Sequence, residues 1–522
     1  MMIKKIGTQY KIAAIFIVVL LAVSCKKAAT NSPELTISNS TQNISSSGGT
    51  VVLTFSSSAA WTVDTTGIGW LHLSKISGGS GAATLNLTAP ANPSGTSRSV
   101  LFILNSTNGQ SRRITVLQDA TIFPSYNTSA KVPDSSGMSS TATQIAAKIT
   151  MGWNFYNTME APGGETGWGN PPITQQQIDL IKSTGFNAIR IPIQYDGHLI
   201  NKATAQIDPL WLARIKAVVQ YCINDNMYVT VNIHYDIGSE TGAAQDTANA
   251  RHKAYWEQIA TTLRDFDEHL MFASCNEPAA SDVPTTVTLM RYHQSFINAV
   301  RSTGGKNTYR TLVIQAPSVS IDLLNAYLNP ANVYKTPTLP TDPTPHKMML
   351  EIHYYSPSQF CILGGFGSSD PSQYDASWGK ELYFWGKDFH TTNPKFLDRN
   401  CSANSEEGYM DSILTTVKSR FVDKGIPLFM GEFEPNDHAQ RLTGYPADSL
   451  LSLQSERHFD AYIAEKAKAN GVIPFLWAGV FTRPANNGVP TGPAFIGEPL
   501  ALDSLRTGVN RGVAKFGSGV HF

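Results

Sequence analysis

Two glutamates in the second half of the chain stand directly after short apolar runs. Glu277 follows residues 270–274, and Glu432 follows residues 427–430. Hydrolysis of a glycosidic bond needs two carboxyl groups, because one protonates the leaving oxygen while the other attacks the anomeric carbon or activates water. A single glutamate at a strand end is usually solvated or salt-bridged. The prediction of glycosidase chemistry therefore depends on the groups that accompany the pair.

Other polar and aromatic side chains end further apolar runs of the same region. Arg190 is suited to keep Glu432 ionised, because a nearby opposite charge favours the charged form of a carboxyl group. Tyr355 offers a hydrogen bond to a nucleophile, Asn276 one to a sugar hydroxyl, and Trp477 a flat apolar face to a sugar ring. The supporting residues predicted in this way are Asn154, Arg190, His234, Asn276, His353, Tyr355 and Trp477.

From residue 140 onward, buried-type strands alternate with amphipathic helices. The alternation indicates a (β/α)8 TIM barrel, in which the active site lies at the carboxyl ends of the strands. A doubly wound open sheet is disfavoured, because no glycine-rich phosphate loop follows the first strand and polar residues end many strands. The predicted strands are 149–153, 187–191, 228–234, 270–274, 311–315, 348–353, 427–430 and 474–477, and the predicted helices are 174–183, 209–225, 253–265, 285–302, 407–423 and 452–467.

Residues 33–120 consist of short alternating runs separated by Gly, Ser, Asn and Pro. This pattern predicts a small all-β, immunoglobulin-like sandwich. The runs WTV, WL and TVLQ and the turn ANP resemble the BACON family of such modules. Trp61 and Trp70 fall in alternating patterns, so we expect core positions and a spacer rather than a sugar platform. Residues 121–139 are polar and aperiodic and predict a linker, which leaves residues 140–522 as the catalytic domain.

The first residues predict an export signal and a lipid anchor. A lysine-containing start precedes the apolar run 12–23, which is too short to span a bilayer as a mature helix. Small residues lead into Cys25, as in a bacterial lipobox. We therefore expect residues 1–24 to be removed, Cys25 to be lipidated and residues 25–32 to form a tether. The predicted location is a bacterial outer membrane, at the cell surface or the periplasmic face; the alternative is an ordinary secretory signal.

Lysine plus arginine and aspartate plus glutamate number 40 each, so no net field attracts nucleic acid. A monomer acting on a neutral, bulky glycan fits this balance. Cys222 and Cys275 fall on apolar patterns and are predicted to be buried, whereas Cys361 and Cys401 bracket a long loop and are candidates for a disulfide. The aromatic stretch 360–405 is predicted either to wall the cleft or to bury itself on the barrel. No metal-binding spacing is present, and no cofactor is expected.

The strand ends lie within motifs that resemble glycoside hydrolase family 5. These motifs are GFNAIRIP (185–192), NIH (232–234), NEP (276–278), HYYSP (353–357) and MGEF (430–433). The resemblance implies that Glu277 is the acid/base and Glu432 the nucleophile of a double displacement that retains configuration. Further motifs around Trp168 and Trp378 resemble the endoglucanase and xyloglucanase subgroup, which adds Trp378 to the substrate-binding residues. The implied function is a retaining endo-β-1,4-glucanase, a cellulase or xyloglucanase acting on plant-type β-glucans.

Four positions depart from the family pattern and bear on substrate choice. Tyr156 replaces a usual glycine, Tyr235 replaces a second histidine, and Glu434 stands where glycine or alanine is common, while Trp477 is followed by Ala-Gly rather than Asp-Asn. Glu434 lies two residues beyond Glu432 and is a lesser candidate for the nucleophile. The alternative functions are a β-mannanase, a mixed-linkage β-glucanase, a catalytically inactive surface glycan-binding lipoprotein and a cell-surface scaffold.

Overall fold

The computed structural model describes residues 34–92, 96–235, 245–328, 337–364, 374–375, 379–482, 485–486, 489–490 and 495–516. These residues form a β-sandwich followed by a closed barrel of parallel strands surrounded by helices. The predicted fold class, a (β/α)8 barrel after a small all-β domain, is confirmed. Within the described part of the chain, no helix has the length and apolarity needed to cross a membrane.

The sandwich packs a four-stranded sheet against a five-stranded one. Trp61 is 3% exposed and meets Phe55 edge to face at 4.9 Å between ring centroids, so it is a core residue as predicted. Gly78 lies so close to Trp61 that a Cβ would approach its ring to 2.5 Å. Trp70 is partly buried beneath the guanidinium group of Arg98 and packs against the same core. The strands are Leu35–Ile37, Thr41–Ile44, Gly49–Ser57, Trp61–Asp64, His72–Leu73, Ser77–Gly78, Gly81–Ala89, Arg98–Ser106 and Ser111–Gln118.

Eight parallel strands close the barrel, each paired with the next in chain order and the eighth with the first. Almost all of their residues are buried, because side chains fill the interior and helices cover the outside. Each strand overlaps a predicted one. The strands are Gly152–Asn154, Ala188–Ile191, Tyr228–Asn232, Leu270–Ala273, Leu312–Gln315, Met348–Tyr354, Leu428–Phe433 and Val472–Leu476.

The helices lie around the barrel, and several of them begin at a polar residue whose side chain caps the first turn. Helix Ala142–Lys148, which the sequence reading missed, is capped by Thr141 and packs beneath the barrel with Phe429 and Phe475. The last helix, Pro499–Phe516, was also missed. The helices are Ala142–Lys148, Gln175–Ser183, Pro209–Asn224, Gln245–Leu263, Val283–Ser302, Ile321–Tyr327, Ser358–Cys361, Glu407–Arg420, Pro446–Ala469 and Pro499–Phe516. Short two-stranded pairs join Leu199–Asn201 to Gln206–Ile207, Tyr374–Asp375 to Gly379–Lys380, Phe481–Thr482 to Phe495–Ile496, and Ala485–Asn486 to Val489–Pro490.

Charged and polar side chains hold the sandwich against the barrel. Asp119, just after the last sandwich strand, accepts hydrogen bonds from Arg291 at 3.1 Å and from Asn249 at 3.0 Å. Arg291 also pairs with Asp246 at 2.7 Å, and Asp246 accepts a hydrogen bond from the Ser97 hydroxyl at 2.7 Å. The barrel partners lie on two neighbouring helices. The sandwich therefore rests on the barrel in one defined orientation.

The segment 121–139, predicted as a linker, follows the barrel surface. Phe123 and Tyr126 pack against the barrel core, and the Tyr126 amide donates a hydrogen bond to Glu257 at 2.6 Å. These contacts fix its path between the two units.

The described part of the aromatic stretch 360–405 buries its rings against the barrel. Tyr383, Phe384 and Trp385 are all at most 2% exposed. Of the two predicted roles for these aromatics, burial of the loop is therefore correct for this part. Cys361 and Cys401 are both buried free thiols, so the disulfide considered for them is not formed.

Candidate active site

A register shift between the sixth and seventh barrel strands sets the position of Glu432. The pairing shifts by one residue at Gly431, so that Glu432 lies opposite His353. Gly431 has no room for a side chain, because a Cβ would lie 2.1 Å from Oε1 of Glu351. Bulges of this kind redirect side chains next to active sites. Here the bulge places Glu432 beside His353 at the barrel mouth.

Glu277 and Glu432 meet across this mouth. A carboxylate oxygen of each lies within 4.8 Å of the other and of a ring nitrogen of His353. The Glu277 side chain is 50% exposed, whereas that of Glu432 is 7% exposed. Both line a cavity of about 700 Å³ that opens to solvent, a size typical of ligand sites. The two predicted glutamates are therefore brought together in an open cleft.

Arg190 and Tyr355 hold the Glu432 carboxylate from two sides. Nη1 of Arg190 donates a hydrogen bond to Oε1 at 2.9 Å, and the Tyr355 hydroxyl donates one to Oε2 at 3.2 Å. Arg190 is fully buried, and its own pKa is raised because the charges of Glu351 and Glu432 outweigh the effect of burial. These charge-assisted contacts fix the carboxylate in one orientation.

His353 lies between the carboxyl groups as a cation. Its Nδ1 donates to Glu277 at 2.6 Å and its Nε2 donates to Glu351 at 3.2 Å. Burial alone would lower the pKa of His353, but Glu432, Glu277 and Glu351 raise it to about 9. Glu277, His353 and Glu432 are the group within the described ranges that is compact enough to hold a metal ion. Ligation requires a neutral imidazole, so a protonated His353 disfavours that use.

Two residues of this network were missed in the sequence. Glu351 is fully buried and accepts hydrogen bonds from Gln315 at 2.6 Å and from His353, while pairing with Arg190 at 3.0 Å. Gln315 ends the fifth strand, the one strand for which no site residue was predicted. The signal was present, because Glu351 stands two residues before His353 and therefore faces the same side of its strand.

The two carboxyl groups of the cleft differ in acidity. Burial raises the pKa of Glu432, although the charges of His353 and Arg190 oppose this effect. Burial also acts to raise the pKa of Glu277, but the hydrogen bond and charge of His353 outweigh it and leave the pKa below its usual value. In the free site, the exposed carboxyl group is therefore the more acidic one.

The remaining predicted residues divide into cleft and support positions. His234 lines the cavity and is neutral, because burial, together with the charges of Arg190 and His353, keeps its pKa well below the usual value. Its ring stacks on Trp477 at 5.9 Å with 12° between the planes. Asn276 lines the cavity and accepts a 2.6 Å hydrogen bond from Arg190.

Asn154 takes a support position and does not reach the cleft. It is fully buried and binds Arg190 and the carbonyl oxygens of Gly431 and Leu476. Trp378 and Cys25 lie outside the described residues.

A (β/α)8 barrel with two carboxyl groups this close at its mouth defines a glycoside hydrolase. The comparison with known families agrees with the geometry. Residues 152–479 match the family Cellulase (glycosyl hydrolase family 5), and residues 59–119 match the BACON family. The chain belongs to glycosyl hydrolase family 5 and carries a BACON domain before its barrel.

Similar proteins support this assignment over most of the chain. A xyloglucan-specific endo-beta-1,4-glucanase of Bacteroides ovatus is 27% identical over 494 residues, which cover 90% of this chain and 91% of that protein. Endoglucanase A of Paenibacillus barcinonensis is 30% identical over 60% of this chain and 77% of its own length.

Solved structures of similar proteins support the same family assignment. The Bacteroides ovatus GH5 xyloglucanase in complex with a XXXG heptasaccharide has a TM-score of 0.66 at 25% identity, covering 91% of this chain and all of that one. A GH5 xyloglucan-specific β-1,4-glucanase from a ruminal metagenomic library, in complex with XXLG, has a TM-score of 0.58 at 32% identity, covering 72% of this chain and 97% of that one.

Proposed function

We propose that the protein is a retaining endo-β-1,4-glucanase that cleaves xyloglucan by double displacement. The observation that carries the proposal is the separation of the two carboxyl groups, whose nearest oxygens lie within 4.8 Å. Retaining enzymes hold their carboxyl groups about 5–5.5 Å apart, whereas inverting enzymes need about 6.5–9.5 Å to admit a water molecule. The separation therefore favours direct attack by one carboxylate on the sugar.

Glu432 serves as the nucleophile. Its fixed orientation between Arg190 and Tyr355 prepares the carboxylate for attack on the anomeric carbon. A glycosyl ester then joins Glu432 to the sugar, and the leaving oxygen takes a proton from Glu277. Glu434 is a weaker candidate, because no hydrogen bond from Arg190 or Tyr355 reaches it among the described contacts.

Glu277 serves as the acid and then the base. A sugar ring over its half-exposed carboxyl group removes water, and this loss of solvation raises the pKa of Glu277 into the range of an acid catalyst. After the leaving group departs, Glu277 takes a proton from the incoming water, which hydrolyses the ester on Glu432. His353 stays protonated throughout and supplies positive charge beside both carboxyl groups.

Aromatic and polar groups around the pair bind the sugar chain. Trp477 offers a ring face at the cleft, and His234 and Asn276 offer hydrogen bonds. Beyond them, Trp168 and Tyr235 are 46% and 54% exposed and meet at 6.4 Å between centroids. Exposed rings of this kind next to a cleft provide stacking surfaces for further sugars, as internal cleavage of a long chain requires.

Xyloglucan is preferred as the substrate over unbranched β-glucan. The support comes from the similar proteins, of which the Bacteroides ovatus enzyme is described as xyloglucan-specific and two solved structures hold XXXG or XXLG oligosaccharides. The cleft is also open, and its cavity of about 700 Å³ exceeds what a single main-chain sugar needs.

Product analysis on xyloglucan, cellulose, mixed-linkage glucan and mannan tests the proposal. The expected result is release of oligosaccharides from xyloglucan, with the β-anomer formed first in proton NMR. Glu432→Ala and Glu277→Ala should each lower turnover by about 10²–10⁴-fold. Glu268→Gln, which removes a carboxylate near the other end of the barrel, is the matched control. First formation of the α-anomer, or near-normal rates in either alanine variant, contradicts the mechanism, and inactivity on all four polymers favours a binding protein.

We also propose that Cys25 carries a lipid anchor that holds the enzyme in a bacterial outer membrane. The support is the short apolar run of residues 12–23 ahead of small residues and Cys25. Cys25→Ala should release the protein from the membrane fraction, whereas unchanged membrane association contradicts the proposal.

A further inference from the structure

The loop that carries Glu277 is anchored by the segment that ends the fifth barrel strand. We call residues 275–281 the Glu277 loop. The amide that opens this loop donates a hydrogen bond to Oε1 of Gln315 at 3.0 Å. Beyond the glutamate, the Ala280 amide donates one to Oγ of Ser318 at 3.1 Å. One short segment of the chain therefore holds the loop on both sides of Glu277.

The side chain of Glu277 has little support of its own. It is 50% exposed, and within the described contacts a single side chain, that of His353, forms a hydrogen bond with it. Glu432 is held more firmly, between Arg190 and Tyr355. A catalytic group loses rate steeply when it is misplaced by about 1 Å. The position of the Glu277 carboxyl group therefore depends on the backbone of its loop.

Ser318 reaches the loop from a left-handed turn. Ser318 and Val319 both have a φ of 47°. Residues other than glycine rarely adopt positive φ, and a β-branched residue there is an outlier. Such conformations persist where the surrounding structure enforces them, and they concentrate at functional sites. The Val319 side chain is buried, and its amide donates a hydrogen bond to the Ala316 carbonyl oxygen at 2.9 Å. These contacts keep the turn in place and present the Ser318 hydroxyl to the Glu277 loop.

The Ser318 hydroxyl satisfies a buried amide of the loop. Ala280 is 1% exposed, and a buried amide needs an acceptor. Without the hydroxyl, the loop has to shift until this amide finds another partner, and Glu277 moves with it. The Tyr327 hydroxyl donates a hydrogen bond to the Ser281 carbonyl oxygen at 3.0 Å, which secures only the far end of the loop.

We infer that Ser318 is a positioning residue for the acid/base group, because its hydroxyl fixes the Glu277 loop so that the carboxyl group reaches the leaving oxygen. The inference rests on the proposed function, since it requires Glu277 to be the proton donor. Ser318 is not among the residues that line the catalytic cavity, so it acts through the loop and not on the sugar.

Two substrates with different leaving groups test the inference. They are a xyloglucan oligosaccharide, whose leaving sugar needs a proton from Glu277, and a 2,4-dinitrophenyl β-glycoside of the same repeat, whose phenolate leaves without one. The measured quantity is kcat/KM, which reports the steps up to cleavage of the glycosidic bond. Ser318→Ala should lower it about tenfold to a hundredfold on the oligosaccharide and change it less than about twofold on the dinitrophenyl glycoside.

Three further variants complete the experiment. Ser318→Gly should show the same selective loss, because glycine accepts the left-handed turn freely but lacks the hydroxyl. Glu277→Ala is the reference and should show the selective loss at its largest. Ser320→Ala is the matched control, because it removes a hydroxyl from the same segment that caps the helix Ile321–Tyr327 through the Leu323 amide at 3.3 Å. It should leave the ratio of kcat/KM on the two substrates unchanged.

The outcomes separate the role of Ser318 from the proposed function. A loss in Glu277→Ala that is no larger on the oligosaccharide than on the dinitrophenyl glycoside shows that Glu277 is not the proton donor, and the proposed mechanism fails. A selective loss in Glu277→Ala, with equal losses or none in both Ser318 variants, overturns the role of Ser318 alone. A selective loss in Ser320→Ala overturns it as well, since the effect then does not depend on the contact with the Glu277 loop.

Discussion

Replacing Glu351 by glutamine should lower the free energy of unfolding and the pKa of His353. The change leaves every group that contacts the substrate in place. The Glu351 carboxylate accepts a hydrogen bond from Gln315 at 2.6 Å and pairs with two cations, Arg190 at 3.0 Å and His353 at 3.2 Å. A glutamine offers one acceptor oxygen and turns its NH2 group toward a donor. At least one buried donor is then left without a partner, at a cost of about 1–3 kcal/mol in the free energy of unfolding.

The same change should shift the pH profile. His353 has a pKa of about 9, raised in part by Glu351, so its positive charge is present at neutral pH and is lost as the pH rises through that value. Without the negative charge of Glu351 the pKa falls, and His353 loses its proton at lower pH. The alkaline limb of kcat/KM in Glu351→Gln should therefore move to lower pH by about one unit, since a unit corresponds to about 1.4 kcal/mol of interaction.

The assay combines urea unfolding with kcat/KM on a soluble oligosaccharide from pH 5 to pH 10. Glu268→Gln serves as the control, because this carboxylate pairs with Lys148 away from the cleft. It should leave the alkaline limb in place. An unmoved alkaline limb in Glu351→Gln, or equal shifts in both variants, would refute the role given to Glu351.

Three further changes have defined outcomes. Gly431→Ala forces a Cβ to within 2.1 Å of Glu351. The free energy of unfolding in urea should therefore fall by about 1–3 kcal/mol, and kcat should fall with it. Wild-type values of both quantities would contradict the packing argument. Trp168→Ala should lower kcat/KM about threefold to tenfold on hexasaccharides and less on trisaccharides, and equal losses would count against stacking at a distal sugar. Asp119→Ala removes one of the two carboxylate acceptors of Arg291 and the acceptor of Asn249, so small-angle scattering should give a larger radius of gyration; an unchanged radius would contradict a role for Asp119 in fixing the orientation of the sandwich.

The barrel and its catalytic glutamates could be predicted because their signals are local. Buried parallel strands appear as apolar runs, and active-site residues follow the ends of these runs. Glu351 was missed because only the last polar residue of each strand was considered, and it stands two positions earlier, below His353.

The start of the helix Gln245–Leu263 could not be predicted from hydrophobic periodicity. It begins eight residues before the predicted start at residue 253. Its first turns carry Asp246 and Asn249, which bind the sandwich rather than an apolar core. A helical face that meets a polar interface shows no apolar stripe, so hydrophobic periodicity gives no sign of it.

The contacts of Asp119 with the barrel helices and of Asp246 with the sandwich determine how the two domains move relative to each other. A module fastened to the helices of its enzyme in this way moves with the barrel as one body. Because Trp61 is used inside the sandwich core, the module acts as a rigid spacer: it keeps the catalytic groove at one constant distance and angle from the first strand of the sandwich.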